Sequence, residues 1–410
     1  MKSLQNYILA SLLLTNVCAF SQSNKVLSGP FCTYVDSYGT QIWFLLDSSA
    51  TNIHLDIRDY NNDNLLEYNF DVVNVHDLNE FPFKIILDDL VSNMEYLISV
   101  FVDDVFVKEI DLFTSRPHLD DIQFLLGSNM GFSNGIFKHM TNTKSDFMVW
   151  LGGYTSFSSS TSIDNMIDNY INIRKKTDLN DFMTSTPQIA TWGVSDCGFS
   201  STSNFSLKDS AHFVFDLFWP NSLKKTYNYT YFDYGTYQKF NYNDVDLFLL
   251  DSRTFITDTT LYGHKQIDRL FQDIKTTNSS FKIIASPVPF TFSSDDSFLN
   301  YQDEFNYFLN KLSIAQIDGL ILVSSSFNNN IDLGEDVNMN EPLTKMNIYD
   351  FTNHTNGGTQ LISEFNFPSI SDNSYSLIKI SGQRNNRILT FESYNENGNV
   401  TYRKNLDTDN

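Results

Sequence analysis

The sequence predicts an all-β N-terminal domain followed by an α/β layered domain. Short apolar-alternating runs separated by Asn- and Asp-rich turns fill the first part of the chain. Beyond about residue 115, buried apolar runs alternate with segments of helical spacing. A chain of 410 residues is long enough for two or three domains, and 41% hydrophobic with 19% charged residues is typical of an ordered globular protein.

The N-terminal strands are predicted by runs that alternate between apolar and polar residues. They cover residues 40–46, 53–57, 83–87, 96–102 and 105–113. Polar turns such as the Asp/Asn-rich stretch 59–64 separate these runs. This spacing indicates a small antiparallel sandwich of immunoglobulin or fibronectin type III kind, which we assign to residues 22–114.

The second domain, assigned to residues 115–410, is predicted by strands that interleave with helices. The predicted strands are 122–126, 146–151, 189–192, 245–250, 282–285 and 320–323, and the predicted helices are 163–174, 264–274 and 303–312. A terminal meander follows over 375–380, 387–394 and 400–403. In such layered domains the chemistry is expected in the loops that follow the strand ends.

Residues 1–21 have the pattern of a signal peptide. Lys2 is followed by an apolar run over residues 7–14, and Ala19 and Ser21 provide small residues for cleavage. No later segment is a transmembrane candidate. We therefore expect an extracytoplasmic protein, which is periplasmic, outer-membrane-associated or secreted. The cleavage region and the Asn-, Phe- and Ile-rich composition are typical of Bacteroidota.

The net charge of −22 makes nucleic acid a poor partner, because the chain repels phosphate backbones. The aromatic share of 15% favours large β-rich cores and leaves open an aromatic surface that binds carbohydrate or protein. Cys32 and Cys197 remain after cleavage, and they could pair or stay free. The cysteines and histidines have no zinc-type spacing.

Seven short segments carry a family resemblance. Residues 191–198 (T-W-G-V-S-D-C-G) resemble T-W-D-D-H-D-x-G, and residues 151–154 (L-G-G-Y) resemble L-G-D followed by tyrosine. Residues 127–129 (G-S-N) resemble G-S-C, and residues 249–255 (L-L-D-S-R-T-F) resemble L-L-D-T-R-x-F. Residues 263–266 and 348–352 resemble G-x-x-Q and Y-D-x-T, and residues 322–328 (L-V-S-S-S-F-N) fall where the family has L-S-G-D-x-H. Taken along the chain, the segments follow the order of the alkaline phosphatase D-type (PhoD-like) metallophosphatases, which this sequence resembles.

The resemblance implies a metallophosphatase-like layered domain whose relatives hydrolyse phosphate mono- or diesters with clustered metal ions. In that family, aspartates and histidines of these loops, and in many members the cysteine of G-S-C, hold the metals. The matching positions here are Asn129, Gly153, Gly193, Val194, Ser195, Asp196, Ser326 and Asn328. Only Asp196 keeps an acidic side chain, while Asp251 and Arg253 match a position that we expect to brace a strand end.

These substitutions lead us to expect no metal, no other cofactor and no catalytic residue. Two multivalent ions about 4 Å apart need anionic ligands, and glycine, valine, serine and asparagine provide none. Without a metal there is no activated hydroxide near neutral pH. The sequence thus predicts a catalytically inactive pseudophosphatase.

We expect such a protein to be a binding or scaffold subunit with protein partners in a bacterial envelope complex. One alternative is a secreted phosphomonoesterase or phosphodiesterase with a rebuilt or single-metal site. Another is a module that holds a phosphate or glycan ligand without cleaving it, through groups such as Arg253 and Tyr154.

Overall fold

The computed structural model describes residues 25–60, 65–114, 121–128, 130, 135–155, 162–197, 206–221, 235–290, 296–315, 317, 319–326, 349–354, 358–361, 374–383 and 386–407. The predicted signal peptide lies outside these residues, as do Asn129 and Asn328. None of the described helices is long and apolar enough to cross a membrane.

The described residues form nineteen strands and six α-helices. The strands are β1 (Val26–Cys32), β2 (Thr40–Asp47), β3 (Asn52–Asp59), β4 (Leu65–Asp71), β5 (Glu80–Leu87), β6 (Glu95–Val102), β7 (Val105–Phe113), β8 (Ile122–Gly127), β9 (Phe147–Leu151), β10 (Gln188–Thr191), β11 (Gln238–Tyr242), β12 (Val245–Leu249), β13 (Phe281–Ser286), β14 (Leu320–Ser326), β15 (Tyr349–His354), β16 (Gly358–Leu361), β17 (Ser374–Ser381), β18 (Ile388–Asn395) and β19 (Val400–Asp407). The helices are α1 (Ile136–Asn142), α2 (Ile163–Arg174), α3 (Thr177–Met183), α4 (Lys208–Phe218), α5 (His264–Lys275) and α6 (Gln302–Ala315).

The first seven strands form two antiparallel sheets, ordered β1-β2-β5 and β4-β3-β6-β7. Ile53, Leu55 and Ile57 alternate along β3 toward a core that both sheets share. The period-two pattern places apolar side chains on one face of the strand and polar ones on the other. All five strands predicted for this region form, and β1 and β4 are additional.

The remaining strands form two six-stranded sheets, ordered β10-β9-β8-β17-β18-β19 and β11-β12-β13-β14-β15-β16. Strands β8–β10 run parallel to one another, as do β12–β15, whereas β17–β19 form an antiparallel meander. One core lies between the two sheets, and two further cores join their outer faces to the helices. The order of layers is helices, sheet, sheet, helices.

The three-stranded N-terminal sheet also packs against the helices of the second part. Phe31, Trp43 and Leu45 belong to the same hydrophobic core as residues of α1 to α4. The indole Nε1 of Trp43 donates to the carbonyl oxygen of Leu217 at 2.9 Å. Strand β2 is therefore covered on both faces, which explains its continuous run of buried residues.

Candidate functional site

The carboxyl ends of the parallel strands in the two large sheets meet at one place. The Thr191 hydroxyl, at the end of β10, donates to the carbonyl oxygen of Leu250 after β12 at 2.7 Å. The Ser325 hydroxyl in β14 lies 2.8 Å from the carbonyl oxygen of Leu151 and 3.0 Å from that of Pro287. The loops after β9, β10, β12 and β13 thus converge, as expected for a site at the ends of parallel strands.

Gly152, Gly193 and Pro287 come from three of these loops and lie close together. A Cβ added to Gly152 would lie 2.7 Å from the N and Cα atoms of Gly193. A Cβ on Gly193 would lie 3.3 Å from Cα of Gly152 and 3.6 Å from Cβ of Pro287. Both Gly152 (φ +79°) and Gly153 (φ +81°) occupy the left-handed region that favours glycine. At Gly193, which matches a metal-ligand position of the family, Gly152 and Pro287 thus leave little room for a side chain.

Asp196 joins two of the loops through its carboxylate. Oδ2 accepts backbone N–H groups of Gly193 and Gly153, each at 2.8 Å. Oδ1 accepts the N–H groups of Tyr154 at 2.8 Å and Thr155 at 3.3 Å. Asp196 has no solvent exposure, and burial raises its pKa to about 6 although these N–H groups act to lower it. The carboxylate is occupied by the protein's own backbone.

Asp251 has a comparable role after β12. Its Oδ1 accepts from the indole Nε1 of Trp192 at 2.8 Å and from the N–H groups of Arg253 and Thr254 at 2.7 and 2.9 Å. Its Oδ2 accepts from the N–H of Thr236 at 2.7 Å and from the Thr254 hydroxyl at 2.6 Å. These five bonds brace the strand end and link it to the loop after β10.

Arg253 is 1% exposed and forms an ion pair with Asp296. Its Nε and Nη1 atoms have no hydrogen-bond partner within the described part of the chain. The hydroxyl groups of the buried residues Ser195 and Ser252 also have none there. Arg253 is one of the two residues expected to contact a phosphate or glycan ligand. Its guanidinium has N–H groups that could donate hydrogen bonds to such a ligand.

Tyr154, the other residue expected to contact a ligand, is fully occupied. Its hydroxyl oxygen lies 2.6 Å from the carbonyl oxygen of Thr191 and 3.0 Å from that of Trp150, and it accepts the N–H of Gly152 at 3.2 Å. The ring lies in the hydrophobic core, 4.5 Å from the Trp219 ring between centroids. Tyr154 supports the loop from inside and does not face a ligand.

Cys32 and Cys197 are both buried free thiols. Cys32 belongs to the core shared by the two N-terminal sheets, whereas Cys197 lies in the core under the helices. Burial raises the pKa of each thiol to about 12. The question of pairing that the sequence leaves open is thus settled for this structure.

The positions matched to the family's metal ligands are distributed as follows. Gly153 follows β9, whereas Gly193, Val194, Ser195 and Asp196 follow β10, and Ser326 ends β14 opposite His354 of β15. Asn129 and Asn328 lie outside the described residues. Across the described ranges, no group of three or more His, Cys, Asp and Glu side chains is arranged to hold a metal ion. The side chains at the matched positions do not suit a metal cluster, because the only carboxylate among them, that of Asp196, already accepts four N–H groups.

Sequence reasoning did not identify Thr191, Ser325 and Pro287 as residues that close the site. Each lies at or just after the end of a predicted strand, and that position was the available signal. Their contacts cross from one sheet to the other, so no local pattern in the sequence specifies them.

Comparisons with known proteins agree with this architecture. No protein-family model matches the chain, and no curated protein sequence is significantly similar to it. A solved structure of PhoD is 13% identical, covers 93% of this chain and 93% of its own, and has a TM-score of 0.71.

Two further solved structures have low TM-scores. The sensor domain of the anti-sigma factor RsgI4 in Pseudobacteroides cellulosolvens covers 21% of this chain and 84% of its own at 13% identity, with a TM-score of 0.17. A glycosyl hydrolase family 2 member from Bacteroides cellulosilyticus covers 94% of this chain and 63% of its own at 9% identity, with a TM-score of 0.27. The TM-score of 0.71 to PhoD shows that the chain has a PhoD-like fold.

Proposed function

We propose that this chain is a catalytically inactive PhoD-like pseudophosphatase that acts as an extracytoplasmic binding or scaffold subunit in a bacterial envelope complex. The observation that carries the proposal is the state of Asp196. It is the only acid among the positions matched to the family's metal ligands, and its two oxygens accept four backbone N–H groups. A carboxylate in this arrangement is not available as an anionic ligand for a metal cluster.

The glycines at the matched positions support the same proposal. Gly153 and Gly193 have no side-chain donor, and Gly193 touches Gly152 and Pro287. An acidic ligand at Gly193 would need space where an added Cβ would already lie 3.3 Å from Cα of Gly152. The loops after β9 and β10 would have to separate, and the bonds of Asp196 would have to break.

We further infer that residues 22–114 form an immunoglobulin-like sandwich and residues 115–410 a metallophosphatase-like layered domain. The common core of the two N-terminal sheets supports the first assignment. Trp43 contacts α4 and belongs to the core under the helices, which supports packing of the sandwich against the layered domain.

The alternative is a secreted phosphomonoesterase or phosphodiesterase with a rebuilt or single-metal site, and the PhoD-like fold itself favours it. The two readings are separated by assaying the purified chain on an aryl phosphomonoester and a diaryl phosphodiester, with iron, calcium, zinc or manganese added. The pseudophosphatase proposal expects the same turnover as in Ser195→Ala and in buffer. Metal-dependent turnover above the rate in buffer would contradict it, whether or not Ser195→Ala keeps that turnover.

The scaffold role is tested by cross-linking at native expression level in the source cells. We expect a defined set of envelope proteins to cross-link in fixed ratio. Recovery of the chain as an unlinked monomer would count against the role, whatever the assay shows.

A ligand-binding role has one observation in its favour: the Nε and Nη1 atoms of buried Arg253 have no hydrogen-bond partner among the described residues. Asp296 competes for the same guanidinium. If the site holds inorganic phosphate, Asp296→Asn should increase the phosphate-induced shift in melting temperature and Arg253→Gln should abolish it. The absence of any shift in the wild type and in Asp296→Asn would exclude phosphate as the ligand.

A further inference from the structure

Three of the four edge strands in the N-terminal sheets are protected against pairing with another chain. Strand β1 has two register irregularities, and the hydroxyl of Ser28 and the N–H of Gly29 both donate to Asn180 of α3. Strand β5 contains Pro82 and a lysine, Lys84. Irregular register, proline, inward contacts and lysine are the devices by which natural proteins protect sheet edges.

The edge strand β7 is protected in the same way. Its register with β6 shifts between Val100 and Phe101. The Nζ atom of Lys108 donates to the carbonyl oxygen of Thr184, just after α3, so this edge lies against the second part of the molecule.

Strand β4 has none of these devices. Its sequence L-L-E-Y-N-F-D contains no proline or lysine, and its register with β3 is unbroken from Leu65 to Asp71. β4 pairs only with β3 in the described sheets. Every residue of β4 is exposed or half-buried, and Leu66 keeps 41% of its surface exposed.

The apolar interior of the sandwich extends to this open edge. Leu66 lies opposite the core residue Ile57, and Tyr68 and Phe70 continue the same row. The rings of Tyr68 and Phe70 stack with centroids 6.3 Å apart and pack only partly against the core. One more strand alongside β4 would cover this row while pairing the edge.

We propose that β4 pairs antiparallel with β4 of a second copy of this chain, centred on Tyr68, so that two molecules share one eight-stranded sheet. This register places Leu66 opposite Phe70 of the second copy and Glu67 opposite Asn69. It also places Leu65 opposite Asp71 and thus opposes no like charges. The proposal does not depend on whether the chain is an enzyme.

The charges of Glu67 and Asp71 favour this register over the two registers shifted by one residue in either direction. Centring the pairing on Glu67 would put that carboxylate opposite its own copy. Centring it on Asn69 would put Glu67 opposite Asp71. Like charges directly opposite each other destabilise an antiparallel pair, so the arrangement centred on Tyr68 is preferred.

The salt dependence of binding distinguishes a second copy of this chain from a basic protein partner. Two chains that each have a net charge of −22 repel at long range, and salt screens this repulsion. Pairing between copies should therefore tighten as salt increases. Pairing of the acidic chain with a basic protein would weaken under the same change.

The experiment is sedimentation of the full chain at about 0.1 M and about 0.5 M NaCl, across a range of protein concentrations. We expect a monomer–dimer equilibrium that tightens at the higher salt concentration. A wild type that stays monomeric, a dimer that weakens with salt, or association that continues beyond the dimer would each overturn the proposal.

The register is tested with Asn69→Glu. The new carboxylate keeps an acceptor for His54 Nδ1, which lies 3.0 Å from Asn69 Oδ1. In the dimer, the new carboxylate of each copy lies opposite Glu67 of the other copy. The two repulsive pairs should weaken dimerisation roughly ten-fold. Adding Glu67→Lys to the same chain converts both repulsive pairs into attractive ones and should restore the dimer.

The matched control is Asn405→Glu, an exposed asparagine on edge strand β19 of a different sheet. It adds the same charge to the molecule and should leave dimerisation within about two-fold of wild type, because an isolated surface charge has a small effect. Equal weakening by Asn69→Glu and Asn405→Glu, or no rescue by Glu67→Lys, would rule out this β4 pairing.

Discussion

At the scale of single residues, the carboxylate of Asp196 is enclosed by backbone N–H groups of the loops after β9 and β10. It accepts four N–H groups, two at each oxygen, and has no exposed surface. Its bonds join the loop after β9 to the loop after β10. Asp251 does the same between β10 and β12. Both acids stabilise the strand ends of the large sheets.

Replacing Asp196 with asparagine should lower the free energy of unfolding by about 1–3 kcal/mol at pH 7. Asparagine has one acceptor oxygen, so two of the four N–H groups would face an amide nitrogen and lose their partner. Urea unfolding measures this change. Asp168→Asn, on the exposed face of α2, is the control and should change stability by less than about 0.5 kcal/mol. Equal stability of the two variants would show that Asp196 does not join the loops.

The same residue predicts a pH dependence. The folded-state pKa of Asp196 is raised from 3.8 to about 6, so between these values the folded state binds more protons than the unfolded state. The contribution is full below about pH 4 and is lost as pH rises through about 6. It amounts to roughly 3 kcal/mol at most.

The advantage of the wild type over Asp196→Asn in unfolding free energy should therefore be larger at pH 4 than at pH 7. Denaturant unfolding of both proteins across this range measures it. Parallel pH profiles would contradict the raised pKa, since the variant lacks the titrating group.

The thiols of Cys32 and Cys197 should be inert in the folded protein. Both are buried, and burial raises the pKa of each to about 12, so the reactive thiolate is scarce at pH 8. In a chain that begins at residue 22, Ellman's reagent should detect no thiol under native conditions and two in denaturant. Rapid reaction of one thiol in the native protein would mean that its surroundings open.

At the scale of elements, α2 connects the helices to the N-terminal sheet through its last residue. The guanidinium of Arg174 lies 3.9 Å from the ring centroid of Trp219 and donates to the carbonyl oxygen of Phe218 at 3.0 Å. Trp43 and Phe31 lie within 5.5 Å on the sheet side. Aromatic faces and a carbonyl thus hold a buried cation at the contact between the two parts.

Arg174→Lys should lower the free energy of unfolding by about 2–4 kcal/mol, because an ammonium is more strongly hydrated than a guanidinium and cannot stack on the rings. Arg174→Met should cost less, since it removes the buried charge and keeps a chain of similar length. Thermal unfolding of both variants tests the order. Arg58→Lys, at an exposed position of β3, is the control. If lysine were tolerated better than methionine, the cation would not depend on the aromatic faces.

Elements with a strong period could be predicted from the sequence. Helix α2 begins and ends at the predicted residues, and β9 and β10 are placed within one residue. Strand β4 was missed, although Leu66, Tyr68 and Phe70 alternate with polar residues and were the available signal. Helix α4 was also missed, although the spacing of Ala211, Val214, Phe215 and Phe218 is helical and was the available signal.

At the scale of the whole molecule, the chain has a PhoD-like fold. The family motifs placed the relevant loops at strand ends, where the structure also has them. They could not predict the contact of Gly152, Gly193 and Pro287, because it joins three segments that are distant in the sequence. Nor could they predict that the remaining acid would be enclosed by backbone N–H groups.

The most direct test of the proposed pseudophosphatase is the metal content of the chain, measured by mass spectrometry of protein purified from cells grown with ample iron, calcium, zinc and manganese. Less than about one metal ion per ten chains is expected, because the carboxylate of Asp196 is already bound and its neighbours offer no anionic ligand. One or more ions per chain, retained through gel filtration, would contradict the account.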